Sequence, residues 1–426
     1  MRVLLKGGRV VDPSQNLDGT YDVLIEGNRV VKVEKKIDRV EATKVIDVSG
    51  LIVSPGFIDL HTHLREPGQE WKEDIETGSQ AAVAGGFTSV CCMANTDPVN
   101  DNPSVTKYIV DRGKEVGLCD VFPIGAITKG LKGEELAEIG LMVKAGIVAI
   151  SDDGESPRDS RVLRNAMDYA RSLGIPVFTH SEDKTLSAGG HMNEGPLSTR
   201  LGIPGMPPEA EDIGTMRDIL IAKLTGAHIH VCHVSSKGAL KIIEEAKGDG
   251  VRVTCEITPH HFTLTEDAVE GFNTNAKMCP PLRTKDHVEA CRIALKKGVA
   301  DSIATDHAPH SEDEKLVEFC RAPFGIIGLQ TALPLSLNLV REGYLTLSQM
   351  IEKLSTNPSR IIGKRDIGSL KPGSRANVTV FDPEEEFVLT KEEIKSKSCN
   401  TPFLNKRLRG RVKITIYNGK IVFKDK

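Results

Sequence analysis

The sequence predicts an α/β fold: a (β/α)8 TIM-type barrel carrying a small β-sandwich domain built from both ends of the chain. Three observations predict it. From about Phe57 to about Gly363, eight short apolar runs alternate with helical stretches, the pattern of βα units around a parallel sheet. The two terminal segments instead alternate apolar and polar residues between Gly and Asn turns, as half-exposed strands do. No G-x-G-x-x-G follows an early strand, which sets aside a doubly wound sheet. The expected domains are residues 1–55 plus 365–426 for the small β domain and 56–364 for the barrel.

The first segment reads as the strands VLLKGGRVVD, YDVLIEGNRVVKVE and KVIDVSGLIVSPG, rich in β-branched residues. The barrel strands are expected at 56–63, 87–94, 120–127, 147–152, 175–180, 228–234, 251–257 and 300–306. Helical segments lie between them, among them PSVTKYIVDRGKEV, RVLRNAMDYARSLG and EDIGTMRDILIAKLTG, and several end in Gly as helix C-termini commonly do. The uncharged stretch 322–340 is broken by Pro323, Gln330, Pro334, Ser336 and Asn338, so it predicts a buried helix rather than a membrane span. The C-terminal strands are ANVTVFDP, EEFVL and VKITIYNGKIVFK, the last turning at Asn418-Gly419.

Composition narrows the function. Over 426 residues, 55 Lys and Arg against 59 Asp and Glu give a formal charge of −4, so no basic excess points to nucleic acid or an anionic membrane. Aromatic residues are only 4%, which argues against a base-stacking surface. The 9 cysteines are scattered without a C-x-x-C, so neither a disulfide framework nor a zinc ribbon is expected. The opening MRVLLKGGRVV carries Arg2, Lys6 and Arg9 and no signal-peptide core. A cytoplasmic chain with reduced thiols is expected.

In such a barrel the active site lies at the C-terminal ends of the strands. Those ends carry His61 and His63, Asn95, Asp152 and Asp153, His180, His233, His260 and His261, Asp306 and His307, then His310. Most of the 12 histidines thus gather at one end of the barrel. His61 and His63, two apart on a strand, point to one face and can reach one cation. His180, His233 and Asp306 stand at corresponding ends of three other strands, and imidazole with carboxylate is a ligand set that zinc accepts. A divalent metal is therefore expected, with Asp153 as the anionic bridge if there are two ions. A metal lowers the pKa of bound water and polarises a carbonyl. The plainer role for Asp152 or Asp153 is to cap the turn before Gly154.

Other histidines serve as controls. His228 and His230 are expected to bond locally, His287 to be solvated, and His191 to be a loop residue without a nameable partner. His260 and His261 are expected to be supporting rather than ligating. His307 should point away from Asp306.

The motifs GFIDLHTHLREPG, MANTDP, SDDG, THSED, HVSS, NAKMCPPLR, TDHAPH and APFGIIGLQTALP occur in this order. With them the chain resembles the dihydroorotases of the bacterial type I branch, within the amidohydrolase superfamily. The resemblance spans nearly the whole chain. It implies a zinc-dependent barrel that interconverts dihydroorotate and N-carbamoyl-aspartate in pyrimidine biosynthesis, with one or two zinc ions per chain. His61, His63 and Asp306 resemble ligands of one zinc, His180 and His233 those of the second, and Asp153 the bridge. Many superfamily members use a carboxylated lysine there; this strand end has none, and Lys129 and Lys144 are poorly placed to substitute.

The resemblance also implies a carboxylate cradle of Arg65, Asn95 and His310. Arg65 continues the His61/His63 register, so its guanidinium can face the mouth; the bland alternative is a surface pair with Glu66 or Glu70. His63 and the Phe324–Gly325 stretch would contact the substrate as well. Cys279 stands where the family usually has asparagine, and a thiol is a weak hydrogen-bonder. Asp306 would accept a proton from the attacking water and pass it to the departing amide nitrogen. Residues 310–322 resemble the active-site loop, against the plainer reading of a surface connection.

Two rival readings stay open at this point: another cyclic amidohydrolase (a hydantoinase, dihydropyrimidinase or allantoinase), or a weakly active partner subunit of aspartate transcarbamoylase. The resemblance implies a small-molecule substrate, a homo-oligomer and a complex with aspartate transcarbamoylase as further partners, with no nucleic acid and no membrane.

Overall fold

The computed structural model describes residues 2–38 and 42–425. The chain opens with β1 (Arg2–Asp12), β2 (Leu17–Glu26), β3 (Arg29–Glu34), β4 (Lys44–Asp47) and β5 (Ile52–Pro55). Then come β6 (Phe57–Thr62), α1 (Ile75–Ala84), β7 (Phe87–Cys92), α2 (Pro103–Val116), β8 (Asp120–Gly125), α3 (Ile139–Ala145), β9 (Ala149–Ile150), α4 (Ser160–Leu173) and β10 (Val177–Thr179). A two-stranded excursion, β11 (Met192–Asn193) and β12 (Gly205–Met206), encloses α5 (Pro196–Leu201). The barrel resumes with α6 (Pro208–Thr225), β13 (Ile229–Val231), α7 (Lys237–Gly248), β14 (Val253–Ile257), α8 (Lys285–Lys297) and β15 (Ser302–Ile303). After it follow α9 (Glu312–Lys315), α10 (Ala332–Arg341), α11 (Leu347–Ile351), α12 (Asn357–Ile361), β16 (Val378–Val388), β17 (Arg407–Tyr417) and β18 (Lys420–Lys424).

All eight expected barrel strands are present, each shorter than its apolar run, and they pair in the order β6-β7-β8-β9-β10-β13-β14-β15. The ring closes where Thr62 bridges in parallel to His307, beyond β15. Alternate strand residues fill the interior: Ile58, Leu60, Cys91, Met93, Ile124, Phe178 and Cys232 pack together, with Ile361, Ile362 and Ile367 beside them. The outward residues join the helices in a larger core. The expected glycine stops hold: α2, α4, α6 and α8 end at Gly117, Gly174, Gly226 and Gly298, each left-handed. Of the stretch 322–340 expected as a buried helix, only the part from Ala332 is helical, as α10, and it is mostly buried as far as Leu339; residues 322–331, which include Pro323, are irregular. Among the described residues no helix is long and apolar enough to cross a membrane.

Both ends of the chain meet in one sheet, ordered β18-β17-β16-β5-β1-β2-β3, with β4 on β1. Apolar residues of β1 to β3 share a core with those of β16 and β17 (Val23, Ile25 and Val30 with Val378, Val380 and Ile414). This sheet is tied to the barrel by hydroxyls: Thr379 Oγ1 donates to Gly86 O at 2.5 Å and Thr415 Oγ1 to Val83 O at 2.7 Å.

Candidate metal centre and active site

Strands β6, β9, β10, β13 and β15 deliver their terminal side chains to one point. His61 Nε2 lies 3.4 Å from Asp153 Oδ1 and 3.4 Å from Asp306 Oδ1. His63 Nε2 lies 3.0 Å from Asp306 Oδ1 and 3.6 Å from Asp153 Oδ2. On the other side of Asp153, Oδ1 is 3.7 Å from His180 Nδ1 and 3.5 Å from His233 Nε2. Among the ligand sets that result, His61/His63/Asp153 and Asp153/His180/His233 have Asp153 in common, and His61/His233/Asp306 overlaps both. Asp306 stands beside the first set.

Three residues reach the mouth by turning sharply out of their strands. Arg65, His233 and Asp306 have φ of 62°, 36° and 46°, a left-handed backbone that non-glycine residues adopt at a cost of about 1–3 kcal/mol. Packing holds them there. Thr305, next to Asp306, donates both its amide and its hydroxyl to buried Asp59 (3.0 and 2.6 Å), and the His233 amide donates to Glu256 Oε1 at 3.3 Å.

The donor set fits a divalent ion. Ligand atoms about 2.0–2.1 Å from a tetrahedral zinc stand roughly 3.3 Å apart, and the separations above run from 3.0 to 3.7 Å. His61 Nε2 and Asp153 Oδ1 are buried and lack any hydrogen-bond partner among the described residues, a costly state unless something else satisfies them. Three of the four rings, those of His61, His63 and His180, are also turned with a lone pair toward the centre. His61 Nδ1–H donates to Glu256 Oε1 at 2.8 Å, and His63 Nδ1–H donates to Asn95 Oδ1 at 2.9 Å. His180 Nε2–H donates to Glu182 Oε2 at 3.0 Å, leaving Nδ1 facing Asp153. An oxygen on the far nitrogen of a ring is the usual way to fix the tautomer of a metal ligand.

Charge follows the same geometry. Burial alone would raise the Asp306 carboxyl, but the His61 and His63 imidazoles beside it hold it well below the usual carboxylate range. Asp153 is likewise held down against burial by His61, His180 and His233. Both therefore stand as carboxylates, able to hold a cation or to accept a proton.

The centre opens into a cleft of about 530 Å³. His63, Arg65, Asn95, Asp153, His180, His233, Cys279, Asp306, His310 and Phe324 all line it, which unites nearly every residue the sequence singled out. Arg65 does not pair with Glu66 or Glu70. It is buried, its Nε donates to Pro309 O at 3.2 Å, and its Nη2 is 3.3 Å from His310 Nε2. Glu66 is engaged elsewhere, by Tyr108 Oη at 2.7 Å and Arg112 at 3.3 Å. Cys279 Sγ sits 3.8 Å from His180 Nε2. Phe324 O accepts from His310 Nε2–H at 2.9 Å. Gly325 N–H donates to Lys277 O at 2.9 Å, and at φ 154° a Cβ here would fall 2.7 Å from the His310 ring, so only glycine lets the chain pass.

The loop from His310 to Ala322 is more than a surface connection. Lys315 Nζ donates to Thr274 O and Pro323 O (3.0 and 2.7 Å), and Lys277 Nζ donates to Phe319 O and Ala322 O (2.8 and 2.6 Å). Two buried lysine side chains thus fasten the middle and the C-terminal end of the loop beside the cleft.

Among the control histidines, His228 and His230 bond locally to Thr254, and His307 turns away from Asp306 to Glu73 at 3.3 Å. His261 bonds Thr258 and Pro280 O, a supporting role. Two expectations need correction. His287 is half-buried and its Nδ1 accepts the Lys237 N–H at 3.0 Å, closing the N-terminus of α7. His191 has a partner after all, stacking on Phe324 with ring centres 6.2 Å apart at the cleft wall.

Sequence reading missed three supporting residues. Glu256, wholly buried, joins His61, His230 and the His233 amide; a lone acid inside the apolar strand VTCEI was a signal for it. Glu182 orients His180 and lay within the quoted THSED. Asn400, from the distant C-terminal segment, left no signal. Its Oδ1 accepts the His310 N–H at 3.0 Å and its Nδ2 donates to Ala308 O and Gly325 O at 2.9 and 3.0 Å.

Known proteins resemble this chain over its whole length. The profile of the "Dihydro-orotase-like" family matches residues 50–239, and that of the "Amidohydrolase family" matches 283–423. The dihydroorotase of Trichlorobacter lovleyi is 53% identical over 423 residues, covering 99% of both chains. That of Geobacter metallireducens is 52% identical over 424 residues and the whole of both. Among solved structures, the L-hydantoinase of Arthrobacter aurescens superposes with a TM-score of 0.87 at 24% identity, over 99% of this chain and 96% of that one. A D-hydantoinase from Bacillus sp. AR9 gives 0.82 at 26% identity, over 100% and 95%.

Proposed function

Because this chain belongs to the dihydroorotases of the amidohydrolase superfamily, we propose that it catalyses the zinc-dependent, reversible hydrolysis of the cyclic amide of (S)-dihydroorotate to N-carbamoyl-L-aspartate. The observation that carries the reading is the pair of ligand sets sharing Asp153, opening into a cleft that holds Arg65, Asn95 and His310. His61, His63 and Asp306 would hold one ion, His180 and His233 the second, with Asp153 between them. Such ions, when bound, acidify water and polarise an amide carbonyl.

The chain's own groups do the rest. Asp306, ionised and at the cleft wall, accepts the proton of the attacking water and delivers it to the ring nitrogen as the amide bond opens. Arg65, Asn95 and His310 receive the substrate carboxylate. Asn95 spends its Oδ1 on His63, so its amide N–H groups remain as donors. Phe324, Gly325, Cys279 and His63 contact the ring, and the loop fastened by Lys277 and Lys315 keeps water out. The same reading assigns the catalytic body to residues 56–364 and the companion domain to 1–55 plus 365–426. It further assigns a cytoplasmic enzyme of pyrimidine biosynthesis, a homo-oligomer that associates with aspartate transcarbamoylase.

The test is a direct comparison of dihydroorotate with dihydrouracil. Turnover of dihydroorotate with little or none of dihydrouracil is expected. The reverse preference would move the chain to the hydantoinase and dihydropyrimidinase side of the superfamily.

A further inference from the structure

A cavity lies at the opposite mouth of the barrel from the metal centre. Its wall is the entry to four neighbouring strands: Ile147 and Val148 lead into β9, Ile175 and Pro176 into β10, His228 into β13 and Arg252 into β14. Residues 360–365, at the end of α12 and just beyond it, supply the remaining wall. The space between is about 390 Å³, within the roughly 300–1,000 Å³ of small-molecule sites. It shares no lining residue with the cleft of the metal centre.

The charge of this cavity is one-sided. Arg171, Arg252, Arg360, Lys364 and Arg365 line it, and among the described residues no Asp or Glu does. The whole chain carries a formal charge of −4, so this gathering of cations runs against its composition. Of the five, only Arg360 has a described carboxylate in reach, that of Glu352 at 4.0 Å. Asp366, next in sequence to Arg365, is turned onto Arg375 at 2.8 Å. Two of the cations have an ordinary structural role. Arg171 and Arg360 stand in the last turns of α4 and α12, where a positive charge offsets the helix dipole. Arg171 Nη1 also donates to Thr225 O at 2.7 Å, at the end of α6. Arg252, Lys364 and Arg365 belong to no helix and have no such role. Lys364 holds its Nζ 5.2 Å from the centre of the Phe122 ring. His228 adds no cation at neutral pH, because burial, with His230 and Arg252 beside it, pushes its imidazole down to about 4.

A concave site lined by one sign of charge concentrates ions of the other sign. We propose that this cavity binds a small organic molecule carrying two phosphoryl groups. A phosphate monoester bears about −1.5 to −2 charges at neutral pH, so two of them balance the four cations that lack a carboxylate. Guanidinium forks meet phosphate oxygens two at a time, which a lone ammonium does not. The floor is apolar. Ile361, Ile362 and Val148 belong to the core that fills the barrel interior, so this side of the cavity faces the uncharged body of the molecule.

Isothermal titration calorimetry on the full, zinc-loaded chain tests the proposal. The probes are fructose bisphosphate and adenosine diphosphate, with inorganic phosphate for comparison. At least one of the two probes is expected to bind with a Kd below about 0.1 mM, and inorganic phosphate about tenfold more weakly or worse. Arg252→Ala and Arg365→Ala are each expected to weaken probe binding by about tenfold or more, with native circular dichroism and with turnover in the absence of probe unchanged. Arg65→Ala, which alters the cleft, is expected to leave probe binding as it is. Failure of both probes to reach this affinity overturns the proposal. So does probe binding that is lost in Arg65→Ala but kept in Arg252→Ala and Arg365→Ala, which would place the probe in the cleft. Inorganic phosphate bound as tightly as the probes also overturns it, leaving an adventitious ion only. The readout is the heat of binding, so it is decided separately from whether dihydroorotate is the substrate.

Discussion

Glu256 and His61 are joined by a 2.8 Å hydrogen bond, Oε1 to Nδ1, in a place where neither side chain touches solvent. The same carboxylate accepts His230 Nε2 at 2.9 Å. Its role is to keep the proton of His61 on Nδ1, so that Nε2 offers a lone pair to the centre. Replacing it with Gln leaves the shape but lets the amide turn either face to the ring. Glu256→Gln is expected to lower zinc affinity by about 10- to 100-fold, measured by competition with a chromogenic chelator. Unchanged affinity would deny the orienting role.

Glu256 also gives a pH signature. Burial raises its carboxyl, but His230 and His61 together pull it down to about 2. In the unfolded chain it titrates near ~4.3. A carboxyl lowered on folding stabilises the protein above its unfolded value, and that contribution is lost as pH falls from about 4.3 toward about 2. The melting temperature of Glu256→Gln is expected to fall less steeply than that of the wild type across this window.

Asp306→Asn removes the only proposed proton carrier while keeping the side-chain volume. Turnover of dihydroorotate is expected to fall by about 10²–10⁴-fold, with native circular dichroism. Near-normal turnover would refute the proton-transfer role.

Arg65 is the charged member of the proposed carboxylate cradle. Hydrogen bonds to charged groups are worth about 1.5–3 kcal/mol, so Arg65→Ala is expected to raise KM for dihydroorotate by roughly 10- to 150-fold. Any residual activity on dihydrouracil, which lacks the carboxylate, should be unaffected. An equal loss on both substrates would detach Arg65 from carboxylate binding.

Asn400 holds His310, a member of the proposed cradle, from behind. Asn400→Asp exchanges two donors for an acceptor facing the carbonyls of Ala308 and Gly325. The expected result is a destabilisation of about 1–3 kcal/mol together with a higher KM for dihydroorotate, and kcat changed less than KM. Asn400→Ala should keep more stability than the aspartate variant, because it introduces no buried charge.

The barrel was legible because its strands are apolar on both faces and its helices stop at glycines that the structure uses as left-handed caps, such as Gly117 and Gly226. The centre was legible because the candidate metal ligands fall at strand ends, where His61, Asp153, His180, His233 and Asp306 stand at intervals that only a closed barrel reconciles. What the sequence hid depends on contacts distant along the chain. Asn400 reaches His310 across 90 residues. His191, from a glycine-rich excursion, reaches Phe324 through the packing of two loops. Nor does sequence reveal which nitrogen a ring presents: His61 and His63 offer Nε2, but His180 offers Nδ1, because Glu182 takes the other.

Metal content read against turnover bears most directly on the whole scheme. Purified protein is expected to carry one or two zinc ions per chain, to lose dihydroorotate hydrolysis on dialysis against a chelator, and to regain it in proportion to zinc restored. Protein stripped of metal that still hydrolyses dihydroorotate at full rate would show that the five strand ends converge for some other purpose.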